Sequence, residues 1–140
     1  MNFWQNLLLV IMGMLIGSGA YLLKGFVFGP LFRYKECVGK IRNRLKYYAN
    51  VLTSPGVNLD SAQESSKACR ELSCDLEESY YSIAFRTVLG KLSIIPAERN
   101  ISESAKNLIY LSNASYSGEP LKNDKAIRSI LNNLEIDKTV

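Results

Sequence analysis

The sequence predicts an all-α protein in which one N-terminal transmembrane helix is followed by a small cytoplasmic bundle of about four helices. Three observations support this fold class: residues 1–23 carry no charge, later apolar residues recur at helical spacing, and no long segment alternates with period two. With 140 residues, 47% of them hydrophobic and 21% charged, the chain has the composition of one folded domain.

The first predicted element is a membrane span from Phe3 to Leu23. As a helix rising about 1.5 Å per residue, this segment covers about 31 Å, which is the thickness of a bilayer's hydrocarbon core. Trp4 and Tyr21 lie near its two ends, where amphipathic rings prefer the headgroup level. We therefore divide the chain into an anchor over residues 1–29 and a helical cytoplasmic domain over residues 30–140.

The charge distribution predicts the orientation of this span. No Lys or Arg precedes it, whereas residues 24–46 hold seven of the 17 basic residues and a single acid. Basic residues that flank a span are retained in the cytoplasm, so we expect the N-terminus outside and the C-terminal domain inside. The net charge of +4 is thus better explained by topology than by an anionic ligand.

A cleaved signal peptide is the competing interpretation of the apolar segment. Ser18, Gly19 and Ala20 are small residues of the kind found at cleavage sites, but the segment lacks a basic n-region and exceeds the usual apolar length. Under that interpretation Asn100 and Asn113 would begin glycosylation sequons. The intact mass of the mature protein distinguishes the two possibilities.

Gly13 and Gly17 form a G-x-x-x-G pair within the predicted span. Such a pair lets a second helix approach closely and predicts self-association of the span. The alternative is that glycine is simply common in membrane helices.

A basic juxtamembrane helix is predicted over residues 30–54. Gly29 and Pro30 predict a break between it and the span, because proline cannot continue a preceding helix. An apolar stripe at alternating spacings of three and four then runs through Leu31, Tyr34, Val38, Ile41, Leu45, Tyr48 and Leu52. Pro55 and Gly56 end it.

Three further helices complete the predicted bundle. The second soluble helix begins with a capping box at Asp60 or Ser61, buries Ala62, Ser65, Cys69, Leu72, Leu76, Tyr80 and Ile83, and extends through Phe85, Val88 and Leu89 to Gly90. The third starts at Asn100, buries Ile101, Ala105, Leu108, Ile109 and either Leu111 or Ser112, and ends at residues 117–120. The fourth begins near Asn123 and Asp124 and carries Ala126, Ile127, Ile130, Leu131 and Leu134.

The segment Leu108-Ile-Tyr-Leu-Ser-Asn113, with Ile95-Pro96 and Ser102-Glu-Ser-Ala105 before it, resembles a pattern of small, uncharacterised, membrane-anchored helical proteins of bacteria. The resemblance covers about the last two thirds of the chain. It implies a bacterial inner (plasma) membrane setting and no known activity, and it transfers no functional residues.

The residue types predict a protein that is not an enzyme and that uses no cofactor or metal. The chain has no histidine, so Ser-His-Asp and Cys-His catalysis and the commonest zinc ligand are excluded. Cys69 and Cys74 are five residues apart, and Cys37 stands alone, so the cysteines do not form a C-x-x-C metal clip. The acidic cluster of Glu71, Asp75, Glu77 and Glu78 has the pattern of a solvated helix face.

The strongest chemical feature is a group of basic residues for which we predict contact with anionic lipid headgroups: Lys24, Arg33, Lys35, Lys40, Arg42, Arg44 and Lys46. The alternative of equal weight is that they only fix topology and cover the wet face of a helix. Contact with nucleic acid is the weakest of the three interpretations, because Tyr34 and Tyr48 lie on the packing stripe and are not free to stack on bases.

The sequence thus favours a non-enzymatic, membrane-anchored protein-interaction or scaffold module, with a protein partner or a homo-oligomer. The alternative is a membrane-acting effector, immunity or superinfection-exclusion type protein that works through oligomerised spans. A conducting span needs a polar face, and only Ser18 and Tyr21 supply polar groups there.

Overall fold

The computed structural model describes residues 2–136 and confirms the all-α class, since no strand occurs within that range. Within these residues, seven α-helices and one π-helical segment follow one another along the chain. They are α1 (Phe3–Leu23), the π-helical segment (Lys24–Phe28), α2 (Gly29–Tyr47), α3 (Ala49–Thr53), α4 (Leu59–Tyr81), α5 (Arg86–Lys91), α6 (Glu98–Ser117) and α7 (Pro120–Asn133).

The long helices α2, α4, α6 and α7 form an up-down-up-down bundle, and α3 packs against its end. Antiparallel pairing of α4 and α6 is fixed by contacts such as Ser65 to Ser115 and Ser73 to Ala105. The centre of the core consists of fully buried branched side chains, contributed by Ile41, Leu52, Leu76, Ile83, Ile101, Leu108, Leu111 and Ile130.

The predicted break at Gly29 and Pro30 is wrong, because the chain is helical without interruption from Phe3 to Tyr47. A regular α-helix cannot accommodate a proline ring beside the carbonyl of the preceding turn. Here the five residues Lys24–Phe28 form a wider π-turn, and the Gly29 N–H bonds to the Lys24 carbonyl. Pro30 therefore lies in the first turn of α2 and needs no donor of its own.

The apolar stripe of the juxtamembrane helix is confirmed. Five of its residues are buried, Leu31 and Val38 are partly buried and packed against the core, and Cys37 joins them. The helix itself is shorter than predicted, since α2 ends at Tyr47 and α3 resumes the same buried face after a local change of backbone angle at Tyr48.

The predicted ends of the second soluble helix are also wrong. Its cap is Asn58, whose side-chain oxygen accepts hydrogen bonds from the Asp60 and Ser61 N–H groups at 3.0 and 3.2 Å. At the other end α4 stops at Tyr81, and Phe85 has a left-handed φ of 57° that no helix interior allows. The residues up to Gly90 therefore form a separate short helix, α5.

Helices α6 and α7 both begin earlier than predicted. The helix α6 starts at Glu98, not Asn100, and α7 starts at Pro120, not near Asn123. Ile109, which we expected on the buried side, is exposed, whereas Leu111 and Ser112 are both buried. The predicted end of α6 at residues 117–120 is confirmed.

Glycine is required at the corner between α6 and α7. A Cβ atom on Gly118 would lie 2.6 Å from the Ala114 Cβ and 2.9 Å from the Asn123 Nδ2 atom. That nitrogen is already committed, since it donates a hydrogen bond of 2.7 Å to the Leu52 carbonyl. The corner is therefore too tight for any side chain at residue 118.

Candidate membrane anchor and basic surface

The helix α1 has no buried residue, and its apolar side chains all face outward. It belongs to the one helix in the described residues that is long and apolar enough to cross a membrane, with a mean hydropathy of 1.9. A core helix of a soluble domain would be largely buried, so this alternative does not apply. An N-terminal signal sequence has the same length and composition.

The surface of α1 around its glycines is open. A Cβ atom on Gly13 or Gly17 would meet nothing within 4 Å. The hydroxyl of Ser18 donates to the Met14 carbonyl at 2.6 Å, so this polar group is satisfied within its own helix. The face that contains both glycines thus offers close backbone approach to a second helix but no free hydrogen-bonding group from Ser18.

The basic residues of α2 divide between two faces of the helix. One set consists of Arg33, Lys40 and Arg44, which line the grooves between α2 and α4. Across these grooves α4 presents Glu71, Asp75 and Glu78. This part of the positive charge therefore faces acidic residues of the same protein.

One of these cations is held in a direct ion pair. The Lys40 Nζ atom lies 3.1 Å from the Glu36 Oε1 atom, one helical turn away. The hydrogen bond that the Lys40 ammonium donates to the Glu36 carboxylate, and then the charge of that carboxylate, raise the pKa of Lys40. Because both side chains are mostly exposed, water screens the pair and its contribution to stability is small.

The second set, which we name the outer basic row, consists of Lys35, Arg42 and Lys46. These residues are spaced seven and four apart, so they share one face of α2, and all three are exposed. Within residues 2–136 none of them forms an ion pair. The outer basic row is therefore the part of the positive charge of α2 that does not line the grooves facing the acidic residues of α4.

The cysteines are distributed between core and surface. Cys37 and Cys69 are buried, and Cys74 is exposed on α4. Burial raises the pKa of the Cys37 thiol, and it raises that of Cys69 to about 11. Both buried thiols are therefore protonated near neutral pH, which leaves Cys74 as the accessible thiol.

We expect the buried Cys69 thiol to make the bundle less stable at alkaline pH. The unfolded thiol ionises near pH 9.0, while the folded one ionises near pH 11, so the unfolded chain loses its proton first. Ionisation of this thiol therefore leaves the free energy of unfolding unchanged below about pH 9. It lowers that free energy by about 2–3 kcal/mol as the pH rises from about 9 to about 11.

Urea unfolding in micelles, followed by circular dichroism across this pH range, tests the expectation with Cys69→Ala as the comparison. The variant should lose less stability than the wild type on going to alkaline pH. Burial also raises the pKa values of Tyr34 and Tyr80, but these act equally in both proteins. Equal losses in the two proteins would contradict the prediction.

A serine-rich contact between α4 and α6 is a feature that the sequence analysis missed. Ser66 and Ser112 share a hydrogen bond of 3.2 Å, and the Arg70 Nε atom donates to the Ser112 hydroxyl at 2.8 Å. The Ser73 hydroxyl donates to the Ala105 carbonyl at 3.0 Å. The repeated small residues on both helices carried this signal, and their role is to let the two helices pack closely.

The connection between α4 and α6 carries a second feature that was missed. Its apolar side chains Phe85, Val88, Leu92 and Ile94 are exposed, although the sequence analysis assigned the first two to a continuous amphipathic helix. The sequence did contain a signal for this surface, because the short connection carries apolar residues where polar ones are usual.

The surfaces described above can bind other molecules through electrostatic and apolar contacts. Among residues 2–136 no group of three or more His, Cys, Asp and Glu side chains is placed to hold a metal ion. Comparison with protein-family models, curated proteins and solved structures gives no match for this chain.

Proposed function

We propose that this chain is a non-enzymatic, membrane-anchored protein-interaction module of a bacterial inner membrane. In this proposal α1 spans the bilayer once with its N-terminus outside, and the helical bundle lies in the cytoplasm. The observation that carries the proposal is the fully exposed apolar surface of α1, which continues without a break into a core helix of the bundle.

The energetics of α1 favour a lipid environment. Transferring a Leu, Ile or Phe side chain out of water gains about 1.5–3 kcal/mol, and the folded bundle covers none of those in α1. All backbone groups within the helix are internally paired, as a bilayer requires. Continuity with α2 further supports a permanent anchor, because the segment Ser18–Ala20 is helical and not an exposed, extended cleavage site.

Distance from the span narrows the set of residues that meet lipid. Lys24 directly follows α1, and Lys35 stands about 18 Å along the helix from Leu23. Arg42 and Lys46 stand about 28 and 34 Å away if the helix leaves the membrane along its normal, beyond the Debye length of about 8 Å. We therefore assign the headgroup contact to Lys24, the basic residue that directly follows α1.

The far part of the outer basic row then becomes the best candidate for contact with a protein partner. Arg42 and Lys46 are exposed and point away from the acidic face of α4. An acidic protein surface would complement them, and anchoring of both proteins to one membrane would raise their effective concentration. The partner can also be a second copy of the chain, held close by pairing of the two spans through Gly13 and Gly17.

Photo-crosslinking in native membranes tests this function. We expect a photoreactive residue at Arg42 or Lys46 of the full chain to give a discrete adduct. The same probe at Asn132, which is exposed on α7, should not give it. Replacing Lys35, Arg42 and Lys46 by Glu should reduce adduct formation at a probe on Asn43 by about tenfold, since like charges repel an acidic partner. Recovery of neither a partner nor a homo-oligomer would contradict the proposal.

A further inference from the structure

The connection between α4 and α6 lies at the end of the bundle from which α1 departs. The Tyr34 ring, near the start of α2, packs against the Tyr80 ring with centroids 5.9 Å apart. The Tyr80 hydroxyl in turn donates to the Pro96 carbonyl at 3.2 Å, just before α6. Because α4 runs antiparallel to α2, residues 82–95 lie at the end of the bundle at which α2 begins.

This connection presents a fixed apolar surface, which we name the connector surface and define as Phe85, Val88, Leu92 and Ile94. These four side chains are between 50% and 71% exposed. The segment is held from both sides, since Ile83 and Ile95 are buried in the core. The exposed residues therefore face outward because of the fold and not because the segment lacks anchorage.

The charge of this segment suits an anionic surface. Residues 82–97 contain Arg86 and Lys91 and no acidic residue. The Arg86 guanidinium lies over the Tyr81 ring, 5.1 Å from its centroid, which keeps the cation at this end of the bundle. Apolar side chains accompanied by Arg or Lys are the pattern of helices that lie in the interface of a membrane.

The space between the bundle and the proposed span fits such a contact. Tyr34 follows Leu23 by 11 residues, which places it about 16 Å along the helix from the end of α1. One headgroup layer takes about 5–7 Å of this distance, and a helix lying flat has a diameter of about 10 Å. The exposed rings of Phe26, Phe28 and Phe32 line the same interval on the anchor helix.

We propose that the connector surface is a second membrane contact, inserted among the anionic headgroups of the leaflet from which α2 emerges. This inference rests on the proposed membrane anchoring of α1. It adds that the bundle is held against the bilayer at two places, which fixes its tilt and directs the outer basic row sideways along the membrane.

Fluorescence quenching of the full chain in vesicles of phosphatidylcholine and phosphatidylglycerol tests this contact. An environment-sensitive fluorophore is placed on a single introduced cysteine in a Cys74→Ser background, at Val88→Cys or Leu92→Cys. Matched controls at the opposite end of the bundle are Val57→Cys and Leu121→Cys, whose parent residues are 83% and 86% exposed. Met14→Cys reports on the span itself.

We expect lipids that carry a quencher near the headgroup to quench the probes at residues 88 and 92 at least about twofold more than those at 57 and 121. Adding Phe85→Asp to the Val88→Cys variant should abolish this difference while the helical content is unchanged. Quenching by lipid at residue 14 but not at 88 and 92 would overturn the second contact and leave the anchor intact. The probe at residue 14 lies near the bilayer centre, so its measurement uses lipids that carry the quencher on the acyl chain; no quenching there would overturn the anchoring itself.

Shielding of residues 88 and 92 from an aqueous quencher, without quenching by lipid, would also overturn the proposal. It would assign the connector surface to a second copy of the chain, since the vesicles contain no other protein. Energy transfer between labelled copies distinguishes the two occupants. If a second copy covers the connector surface, energy transfer is present and falls when labelled chains are diluted with unlabelled ones. If lipid covers it, the quenching by lipid does not change on this dilution.

Discussion

Two arginines in the middle of α1, Met12→Arg and Ile16→Arg together, should release the protein from the membrane. Both positions are exposed and lie one turn apart, so they place two charges on one face of the helix. An arginine at the centre of a span costs about 2.5–3.5 kcal/mol on insertion scales. The pair therefore costs about 5–7 kcal/mol and should lower the membrane-inserted fraction by more than about a thousandfold.

The measurement is the share of the full chain that sediments with membranes after a wash with urea at neutral pH. Gln63→Arg with Asn132→Arg adds the same charge at exposed positions of the bundle and should leave this share unchanged. If the double variant in α1 sedimented with membranes as the wild type does, α1 would not be the anchor.

The exposed native thiol of Cys74 reports the proposed orientation in intact spheroplasts. A membrane-impermeant maleimide should label Asn2→Cys in intact spheroplasts, and it should reach Cys74 only after the membrane is permeabilised. Cys37 and Cys69 are buried and do not compete in the folded protein. Cleavage of a signal sequence would instead remove the label at residue 2 and lower the intact mass.

Periodicity was sufficient to predict the elements that are long and packed on one side. The stripe from Tyr34 to Leu52 is buried as expected apart from the partly buried Val38, because spacings of three and four residues leave only one face for the core. The uncharged segment from Phe3 to Leu23 forms a single helix for an equally local reason. Neither prediction required knowledge of which elements meet in the bundle.

Helix boundaries and exposure depended on contacts that the local sequence does not contain. Gly29 and Pro30 are a strong signal for a break, yet the wider π-turn before them accommodates the proline ring and the helix continues. Phe85 lies at a position that continues the apolar pattern of α4, but its left-handed backbone turns the chain across the end of the bundle. The connector surface was missed for this reason, since Phe85 and Val88 were assigned to the apolar face of a continuous helix.

The continuity of the anchor helix has a mechanical consequence. A flexible linker after α1 would let the bundle sample many orientations, whereas a helix that runs from Phe3 to Tyr47 couples the tilt of α1 to the position of the bundle. Within this helix the irregular part is the π-helical segment, which lies between α1 and α2. Under the proposed function, the bundle therefore presents the same face to its neighbours in the membrane plane.

The bundle should lose a large part of its stability when one core side chain is truncated, while the protein stays in the membrane. Leu108 is fully buried in α6, and Leu108→Ala should lower the free energy of unfolding by about 3–5 kcal/mol, a large fraction of the stability of a small domain. The adjacent residue is a matched control, because Ile109 is 40% exposed. Ile109→Ala should cost less than about 1.5 kcal/mol.

Urea unfolding in mild micelles and limited proteolysis of membranes measure this difference. Leu108→Ala should shift the urea midpoint and expose the bundle to protease, whereas its share in the membrane fraction should equal that of the wild type, because α1 has no residue buried by the bundle. Release of this variant from the membrane would mean that anchoring depends on the folded bundle. Equal costs at residues 108 and 109 would contradict the packing of α6, in which only the first of the two faces the core.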